Sequence, residues 1–274
     1  MEEGYEILKK EELTPTIKSY EIHAPSVAEK FRPGQFLILR INKGGERIPL
    51  TIVFADKEKG SVGIVVQEIG YTTKRLGAMN KGEKILDVLG PLGVASETEG
   101  YKKVVGVGGG VGAAPLYPIM KELKENGSKV TTIIGSRSKD LLVMEEDFKP
   151  ISDEVIITTD DGSYGEKGFV TTPLKKLLEK GPLPDAVWAI GPLIMMKNVC
   201  AVTREFKVKT IVSLNPIMVD GTGMCGGCRA TVGGETKFAC VDGPEFDGHL
   251  VDFDELMSRN NRFCEEEKCK LLGS

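Results

Sequence analysis

The amino-acid sequence predicts a multi-domain protein with an antiparallel β-barrel, an α/β domain built on a parallel sheet, and a small cysteine-rich domain. Three observations support this architecture. Residues 1–97 carry short apolar stretches separated by glycine, proline and charged turns, residues 98–216 alternate apolar strands with helix-like segments, and residues 217–274 lose this periodicity and gain glycine and cysteine. The first sequence pattern is typical of small barrels, and the second is typical of parallel sheets covered by helices. We take these three ranges as the predicted domains.

Composition and charge exclude several functions. The chain has 274 residues, 41% hydrophobic and 28% charged, as expected of a globular protein longer than one average domain. Its 40 acidic and 36 basic residues give a net charge of -4, which offers no broad positive field to nucleic acid or an anionic membrane. The amino-terminal segment lacks the pattern of a secretory signal. The longest charge-free apolar run, from Val104 to Met120, is too short and too glycine-rich for a membrane span, which needs about 20 apolar residues. We expect a cytoplasmic protein that binds neither nucleic acid nor membrane.

In the first domain, four apolar stretches predict strands. They are FLILRI, PLTIVF, SVGIVVQEI and EKILDVLGPLG. Glycine, proline and charged residues between them mark turns, as in chains whose consecutive strands pair antiparallel. This pattern predicts the barrel.

In the second domain, apolar strands alternate with helices. The strands are KVVGVG, KVTTIIGS, EVIITT and DAVWAIG, and the clearest helices are AAPLYPIMKELKENG and TPLKKLLEKG. Alternation of this kind predicts a parallel sheet with helices packed on its faces.

Two glycine turns in this domain predict a nucleotide site. Each follows a strand and opens a helix, so the backbone can approach a pyrophosphate at a helix N-terminus. Both turns would lie at the carboxyl edge of the sheet, where nucleotides bind in such folds. The alternative is a tight strand-to-helix connection without a ligand. The predicted binding residues are Gly108, Gly109, Gly110 and Gly112 in the first turn, and Gly191 and Pro192 in the second.

The choice between NADH and NADPH depends on the charged residues just after the predicted strand KVTTIIGS. Arg137 could hold a 2'-phosphate or be simply solvated, whereas Asp140, Glu145 and Glu146 would discourage extra negative charge. We therefore expect NAD(H), with NADP(H) as the alternative.

Two segments of the first domain carry flavin signals. Arg47-Ile48-Pro49-Leu50-Thr51 and a later Gly-Tyr-Thr-Thr segment precede the glycine loop in that order. Together they resemble the ferredoxin-NADP reductase family, in which an R-x-Y-S/T strand lies along the flavin ring and a Gly-Thr turn holds the FAD pyrophosphate. The alternative is an ordinary strand followed by an ordinary turn. The resemblance implies that Pro49, Leu50 and Thr51 line the ring, that Gly70, Thr72 and Thr73 bind phosphate, and that Arg47 neutralises it.

This chain departs from the reductase pattern at two positions. Ile48 occupies the place of the family's arginine, with Arg47 one residue earlier, and Leu50 occupies the place of the usual aromatic residue. These departures put phosphate neutralisation by Arg47, and aromatic stacking on the flavin, in question.

The six cysteines predict a metal or redox site. They stand at positions 200, 225, 228, 240, 264 and 269, with none in the first 199 residues. Such clustering argues against a disulfide framework spread over the fold. Cys225-Gly226-Gly227-Cys228 forms a CxxC knuckle, and a predicted hairpin with a Gly-Gly turn returns Cys240 towards it. A segment this short would need a cross-link to stay ordered, and a bound metal is the natural cross-link.

The segment MVDGTGMCGGCRATVGGETKFACVDGPEFDGH resembles the cluster domain of dihydroorotate dehydrogenase electron-transfer subunits. Across nearly the whole chain, the sequence resembles the small subunits of NADH-dependent ferredoxin:NADP oxidoreductases, which are electron-bifurcating enzymes. The resemblance implies a [2Fe-2S] cluster held by Asp220, Cys225, Cys228 and Cys240. Two alternatives remain open: Asp220 as a turn residue with a fourth ligand from Cys264 or Cys269, and a structural zinc site on the same residues.

These signals together predict an electron-transfer subunit. NAD(P)H would reduce FAD, and the cluster would then accept single electrons, so no acid–base catalytic residue is required. The resemblance implies a larger partner subunit with FAD and [4Fe-4S] clusters, through which ferredoxin is reached. The alternatives are the electron-transfer subunit of a dihydroorotate dehydrogenase and, from another class, a zinc-stabilised non-catalytic regulatory subunit.

Overall fold

A computed structural model of the chain describes residues 4–261. Its first part is a seven-stranded antiparallel sheet curved into a nearly closed barrel. The elements are β1 (Tyr5–Thr14), β2 (Ile17–His23), α1 (Pro25–Lys30), β3 (Phe36–Arg40), β4 (Arg47–Asp56), β5 (Ser61–Gln67), α2 (Tyr71–Ala78), β6 (Lys84–Ile85) and β7 (Asp87–Leu92). The strand order is β6-β1-β2-β5-β4-β3-β7, so the two edge strands are consecutive in the chain.

Alternating side chains form the barrel core. Tyr20 and Ile22 on β2 are buried with Leu37 and Leu39 on β3, as the two-residue period of a strand requires. Helix α2 is fixed at its carboxyl end, where the Tyr20 hydroxyl donates to the Leu76 carbonyl at 2.7 Å. The opposite, amino-terminal end of α2 is thereby held in place next to β5.

The second part is a parallel sheet with helices on both faces. The elements are β8 (Lys103–Gly109), α3 (Ala113–Glu125), β9 (Lys129–Ser136), α4 (Glu145–Phe148), β10 (Glu154–Thr159), β11 (Glu166–Lys167), α5 (Thr171–Lys180), β12 (Ala186–Ile190), α6 (Leu193–Glu205) and β13 (Lys209–Ser213). The strand order is β11-β10-β9-β8-β12-β13. Successive strands are therefore added on one side of β8 as far as β11, and β12 and β13 are then added on its other side. Such a reversal opens a crevice at the carboxyl ends of the strands.

The third part is β14 (Arg229–Val232), β15 (Glu235–Phe238), β16 (Glu245–Asp247) and α7 (Phe253–Asn260). Strands β14 and β15 form the predicted hairpin, with both turn glycines at positive φ. Strand β16 pairs antiparallel with β13 and so extends the second sheet, and Phe253 and Leu256 on α7 enter the core beneath α6. The cysteine segment is therefore held by a shared sheet and core, not only by a metal.

The predicted fold class, barrel followed by parallel sheet and cysteine-rich domain, is confirmed. In the described part of the chain the longest helices, α3 and α6, have 13 residues each. Within residues 4–261 no helix is long and apolar enough to cross a membrane.

Candidate functional site

A cleft of about 1160 Å³ lies where the three parts of the chain meet. This volume exceeds that of most drug-sized pockets and suits a large cofactor. The lining residues include Phe36, Pro49, Leu50 and Thr51 from the barrel, Gly109, Gly110, Gly112, Gly191 and Pro192 from the sheet, and Met218 and Pro244 from the third part.

Strand β4 forms the barrel wall of the cleft. Pro49, Leu50 and Thr51 are half-buried and pair with consecutive residues of β3. Proline lacks an N–H and leucine is apolar, so this wall suits the face of a flat ring. Arg47 lies at the start of the same strand, opposite Arg40, and is exposed outside the cleft lining.

The predicted phosphate turn is the start of helix α2. Gly70 is its N-cap, and the Thr73 Oγ1 atom accepts from the Gly70 N–H at 2.9 Å. The Thr72 hydroxyl donates to the Glu46 carboxylate at 2.7 Å. The turn lies just outside the cleft lining, which Ile69 reaches. Its first-turn N–H groups are the donors that helix N-termini offer to anions.

The two glycine turns of the second part lie against each other. A Cβ on Gly112 would stand 2.4 Å from the Ile190 carbonyl oxygen, and one on Gly191 would stand 3.1 Å from the Gly109 Cα. Gly110 has φ +56°, with no atom within 4 Å of its Cβ position. The turns therefore need glycine to meet, and they leave open backbone facing the cleft. Gly108 is buried against α3 and lies behind this surface.

One buried hydroxyl also indicates a ligand. Thr158 lines the cleft, and its Oγ1 is the sole buried side-chain polar atom in residues 4–261 without a hydrogen-bond partner. Buried polar groups are nearly always paired. A bound nucleotide fits this part of the cleft.

The cleft contains a carboxylate that sequence analysis missed. Asp160 follows β10, and its N–H donates to the Ser136 carbonyl, which places it beside Arg137. In the described part of the chain, neither Arg137 nor Asp160 forms an ion pair. Asp140 is not among the cleft-lining residues, and the other two acids predicted to select NAD(H), Glu145 and Glu146, line a separate depression of about 430 Å³. A carboxylate directly after a buried strand was the signal available.

Two of the predicted metal ligands are in contact. The Cys228 and Cys240 sulfurs lie 3.2 Å apart, and both residues are buried. The hairpin brings them together, since the Ala239 N–H donates to the Cys228 carbonyl. Cys225 is exposed, and its sulfur accepts the Gly227 N–H at 3.4 Å.

Asp220 lies under the same loop but faces its backbone. Its carboxylate accepts from the N–H groups of Thr222 at 2.7 Å and Cys225 at 2.6 Å. These bonds hold the pKa of Asp220 below its usual value. Over residues 4–261, no three acidic, histidine or cysteine side chains converge into one metal-binding group. A carboxylate has about four lone-pair positions, so both bonds leave capacity for a metal.

The thiols fit an iron–sulfur cluster by their chemistry. Two soft sulfur donors, Cys225 and Cys228, lie on a glycine-rich loop whose N–H groups can point at sulfur, and the hairpin brings a third, Cys240, to them. Burial, followed by the contact with Cys228, raises the pKa of Cys240 to about 12, so metal binding would displace protons. Cys200 is buried in α6 and is not part of this loop. Cys264 and Cys269 lie outside the described residues.

The cysteine site and the cleft share apolar residues. Phe36 and Met218 line the cleft, and both belong to the buried cluster that contains Cys228 and Cys240. A redox group in the cleft and one on the thiols would thus border the same buried apolar layer.

Comparison with known proteins agrees with this geometry. Residues 215–252 match the iron–sulfur cluster binding domain of dihydroorotate dehydrogenase B. The chain is 53% identical over 263 residues to a protein of Thermotoga maritima named as a dihydroorotate dehydrogenase B (NAD(+)) electron transfer subunit homolog, covering 96% of this chain and 93% of that one. It is 36% identical over 242 residues to a probable electron transfer subunit of the same enzyme in Methanocaldococcus jannaschii, covering 88% of each.

Solved structures show the same relationship. The NADH-dependent reduced ferredoxin-NADP oxidoreductase, studied for flavin-based electron bifurcation, matches with a TM-score of 0.92 and 51% identity, over 98% of this chain and 96% of that chain. The ferredoxin reductase in carbazole 1,9a-dioxygenase matches with a TM-score of 0.66 at 20% identity, over 75% and 66%, which shows a shared fold.

The fold and the cysteine site define a flavin and iron–sulfur oxidoreductase of the ferredoxin-reductase type. Within that class, the chain belongs to the family of the electron transfer subunits of dihydroorotate dehydrogenase B and their homologues. The resemblances predicted from the sequence are confirmed, and so are FAD, an iron–sulfur cluster and NAD(H) as the cofactors of this type of protein. Because the relatives are subunits, the expectation of a partner subunit is also confirmed.

Proposed function

We propose that this chain transfers electrons between NAD(H), FAD and a [2Fe-2S] cluster, and exchanges them with a larger FAD and [4Fe-4S] partner in an NADH-dependent ferredoxin:NADP oxidoreductase. The cluster ligands in this proposal are Asp220, Cys225, Cys228 and Cys240. The observation that carries the proposal is the layer formed by Phe36 and Met218, which joins the cleft to two of the thiols.

The residues of the cleft have separate roles in this function. The flavin, when bound, supplies the chemistry that couples a two-electron donor to one-electron transfer. Pro49 to Thr51 support its ring, and the amino-terminal turn of α2 binds its diphosphate. The paired glycine turns, across the cleft from β4, would hold the nicotinamide nucleotide. The protein thus contributes orientation and exclusion of water.

Anaerobic spectroscopy tests the proposal. The purified chain is expected to show flavin and [2Fe-2S] absorption that bleaches on addition of NADH, and to contain iron in place of zinc. A colourless preparation with zinc and no iron would contradict it and favour the zinc-stabilised regulatory subunit.

A second candidate is the electron transfer subunit of a dihydroorotate dehydrogenase, which the names of the relatives favour. The partner that copurifies with the chain separates the two candidates. A partner with [4Fe-4S] clusters that reduces NADP supports the first, and one that oxidises dihydroorotate supports the second.

We place this activity in the cytoplasm. Within residues 4–261 all four cysteines are free thiols, and a reducing compartment preserves such thiols for metal binding.

The exposed surface around the cysteine loop suits contact with a partner subunit. Val219 and Val241 are 46% and 44% exposed, and Met224, next to Cys225, is 88% exposed. A group of exposed apolar residues on one surface is typical of a protein interface. We therefore place the partner over this loop.

The variant Met224→Asp is expected to weaken binding to the partner about 10- to 100-fold, because a charge would be desolvated in the interface. Titration calorimetry with the isolated partner measures it, while the iron content of the variant stays unchanged. Leu183→Asp is the control, since Leu183 is an apolar residue 46% exposed at the amino edge of the sheet, away from the loop. Equal weakening by both variants would refute this docking surface.

Asp160 is proposed to select NADH. Its carboxylate beside Arg137 repels a 2'-phosphate, so Asp160→Asn should lower the KM for NADPH about tenfold with little effect on the KM for NADH. Steady-state reduction of an artificial acceptor measures both constants. Asp140→Asn, outside the cleft lining, is the matched control. A parallel change in both KM values would remove Asp160 from this role.

A further inference from the structure

A single carboxyl group joins the three parts of the protein. Glu245 begins β16, and its carboxyl accepts from the Ser96 hydroxyl at 2.8 Å and the Trp188 indole N–H at 3.4 Å. Ser96 belongs to the connector between barrel and sheet, and Trp188 is buried in β12. Glu245 itself comes from the cysteine-rich part.

The residues on either side of Glu245 touch the two redox sites. Pro244 lines the cleft, and its carbonyl accepts the Leu214 N–H at 2.9 Å. Phe246 packs against the buried cluster that contains Cys228 and Cys240. The position of this short strand therefore sets the wall of the cleft and the packing of the thiols together.

No cation compensates the Glu245 carboxyl. The charged residues on its own strand and the preceding turn, on the connector, on β13 and before β3 are Asp247, Asp242, Glu97, Glu99, Lys102, Lys209 and Arg32, and in the described part of the chain none forms an ion pair with it. Lys209 instead donates to the Tyr101 hydroxyl, and the Tyr101 ring stands edge-on to Trp188. Burial raises the pKa of Glu245 to about 7, against the opposing effect of its hydrogen bonds from Ser96 and Trp188.

We propose that Glu245 is a proton-binding positioning residue that makes electron transfer between the cleft and the cysteine site depend on pH. The neutral acid can donate to the Ser96 hydroxyl, accept from Trp188 and remain in the junction. The ionised form is a partly buried charge that has two hydrogen-bond donors but no compensating cation, which favours its movement towards water. Ionisation would loosen β16 and with it the contacts of Pro244 and Phe246.

The proton-binding step stands on the junction alone, and only its effect on electron transfer rests on the proposed function. Two readouts keep them apart. Infrared spectroscopy follows the carbonyl band of the protonated carboxyl in the cofactor-loaded chain against pH. Stopped-flow absorption follows the rate at which the cluster is reduced after the flavin accepts electrons from NADH.

Three variants define the expected pattern. In the wild type the band disappears near pH 7, and the cluster reduction rate falls about tenfold between pH 6 and pH 8.5. Glu245→Gln lacks the band and gives a rate that is flat with pH, because the amide cannot ionise. Ser96→Ala moves both midpoints to higher pH, because a donor to the ionised form is lost. Glu235→Gln, on the exposed hairpin, behaves like the wild type.

Each contrary result has a distinct meaning. A band that titrates near pH 4.5, or that persists in Glu245→Gln, overturns proton binding by Glu245. A rate profile that is identical in Glu245→Gln and wild type overturns its positioning role. If NADH does not reduce the flavin, the proposed function fails, and the band still decides the protonation of Glu245.

Discussion

Replacing Cys228 with serine is expected to abolish the iron–sulfur cluster of this chain while the flavin remains reducible by NADH. Cys228 is buried in contact with Cys240 and belongs to the apolar layer that reaches the cleft. A serine hydroxyl is a harder and weaker donor to iron than a thiolate. Iron analysis and the low-temperature EPR signal of the reduced chain measure the loss.

The control for this change is Cys200→Ala. Cys200 is also buried, but it lies in α6 away from the cysteine loop, so the variant should retain full iron content. Flavin reduction by NADH should survive in both variants, because the glycine turns and β4 are untouched. Full cluster content in Cys228→Ser would contradict the ligand assignment. Loss of flavin along with iron would show that the variant misfolds, and Cys225→Ser, at the exposed ligand, would then decide the assignment.

Local sequence signals predicted the walls of the cleft. The residues from Pro49 to Thr51 form part of a strand whose apolar pattern is continuous along the chain, and the glycine loop lies between a strand and a helix that are both strongly patterned. In each case the residues that form the feature are neighbours in sequence. The structure places both features as lining of one cleft.

Features that depend on strand order could not be predicted in the same way. Asp160 approaches Arg137 because β10 lies beside β9, and nothing local to either residue reports that neighbour. The same applies to β16, whose three residues are too few to show periodicity and which joins the sheet only through β13. The role proposed for Glu245 therefore could not emerge from the sequence.

The cysteine loop shows a third kind of difficulty. Its spacing indicates a metal site, but Asp220 can bond the N–H groups of its own loop or a metal, and spacing does not distinguish these partners. In the structure it faces Thr222 and Cys225. The sequence around Gly70 similarly predicts a turn, whereas in the structure Gly70 is the N-cap of helix α2.

The variant Gly112→Ala is expected to raise the KM for NADH about 100-fold. A Cβ at this position would lie 2.4 Å from the Ile190 carbonyl oxygen and 2.7 Å from the Gly191 Cα. Both are backbone atoms and cannot rotate away, so the two glycine turns must separate. Misplacement of a bound group by about 1 Å can cost about 100-fold in rate or affinity. Stopped-flow reduction of the flavin at varied NADH concentration measures the effect.

Gly44→Ala is the matched control, because no atom lies within 4 Å of its Cβ position and its φ is not positive. Flavin and iron content should remain normal in Gly112→Ala, since the atoms that its Cβ would meet belong to Ile190 and Gly191 of the second glycine turn. Retention of both cofactors together with the loss of NADH affinity would place the nicotinamide nucleotide at the paired glycine turns. An unchanged KM would instead mean that the turns serve only to join strand to helix, and the nucleotide would have to bind elsewhere in the cleft.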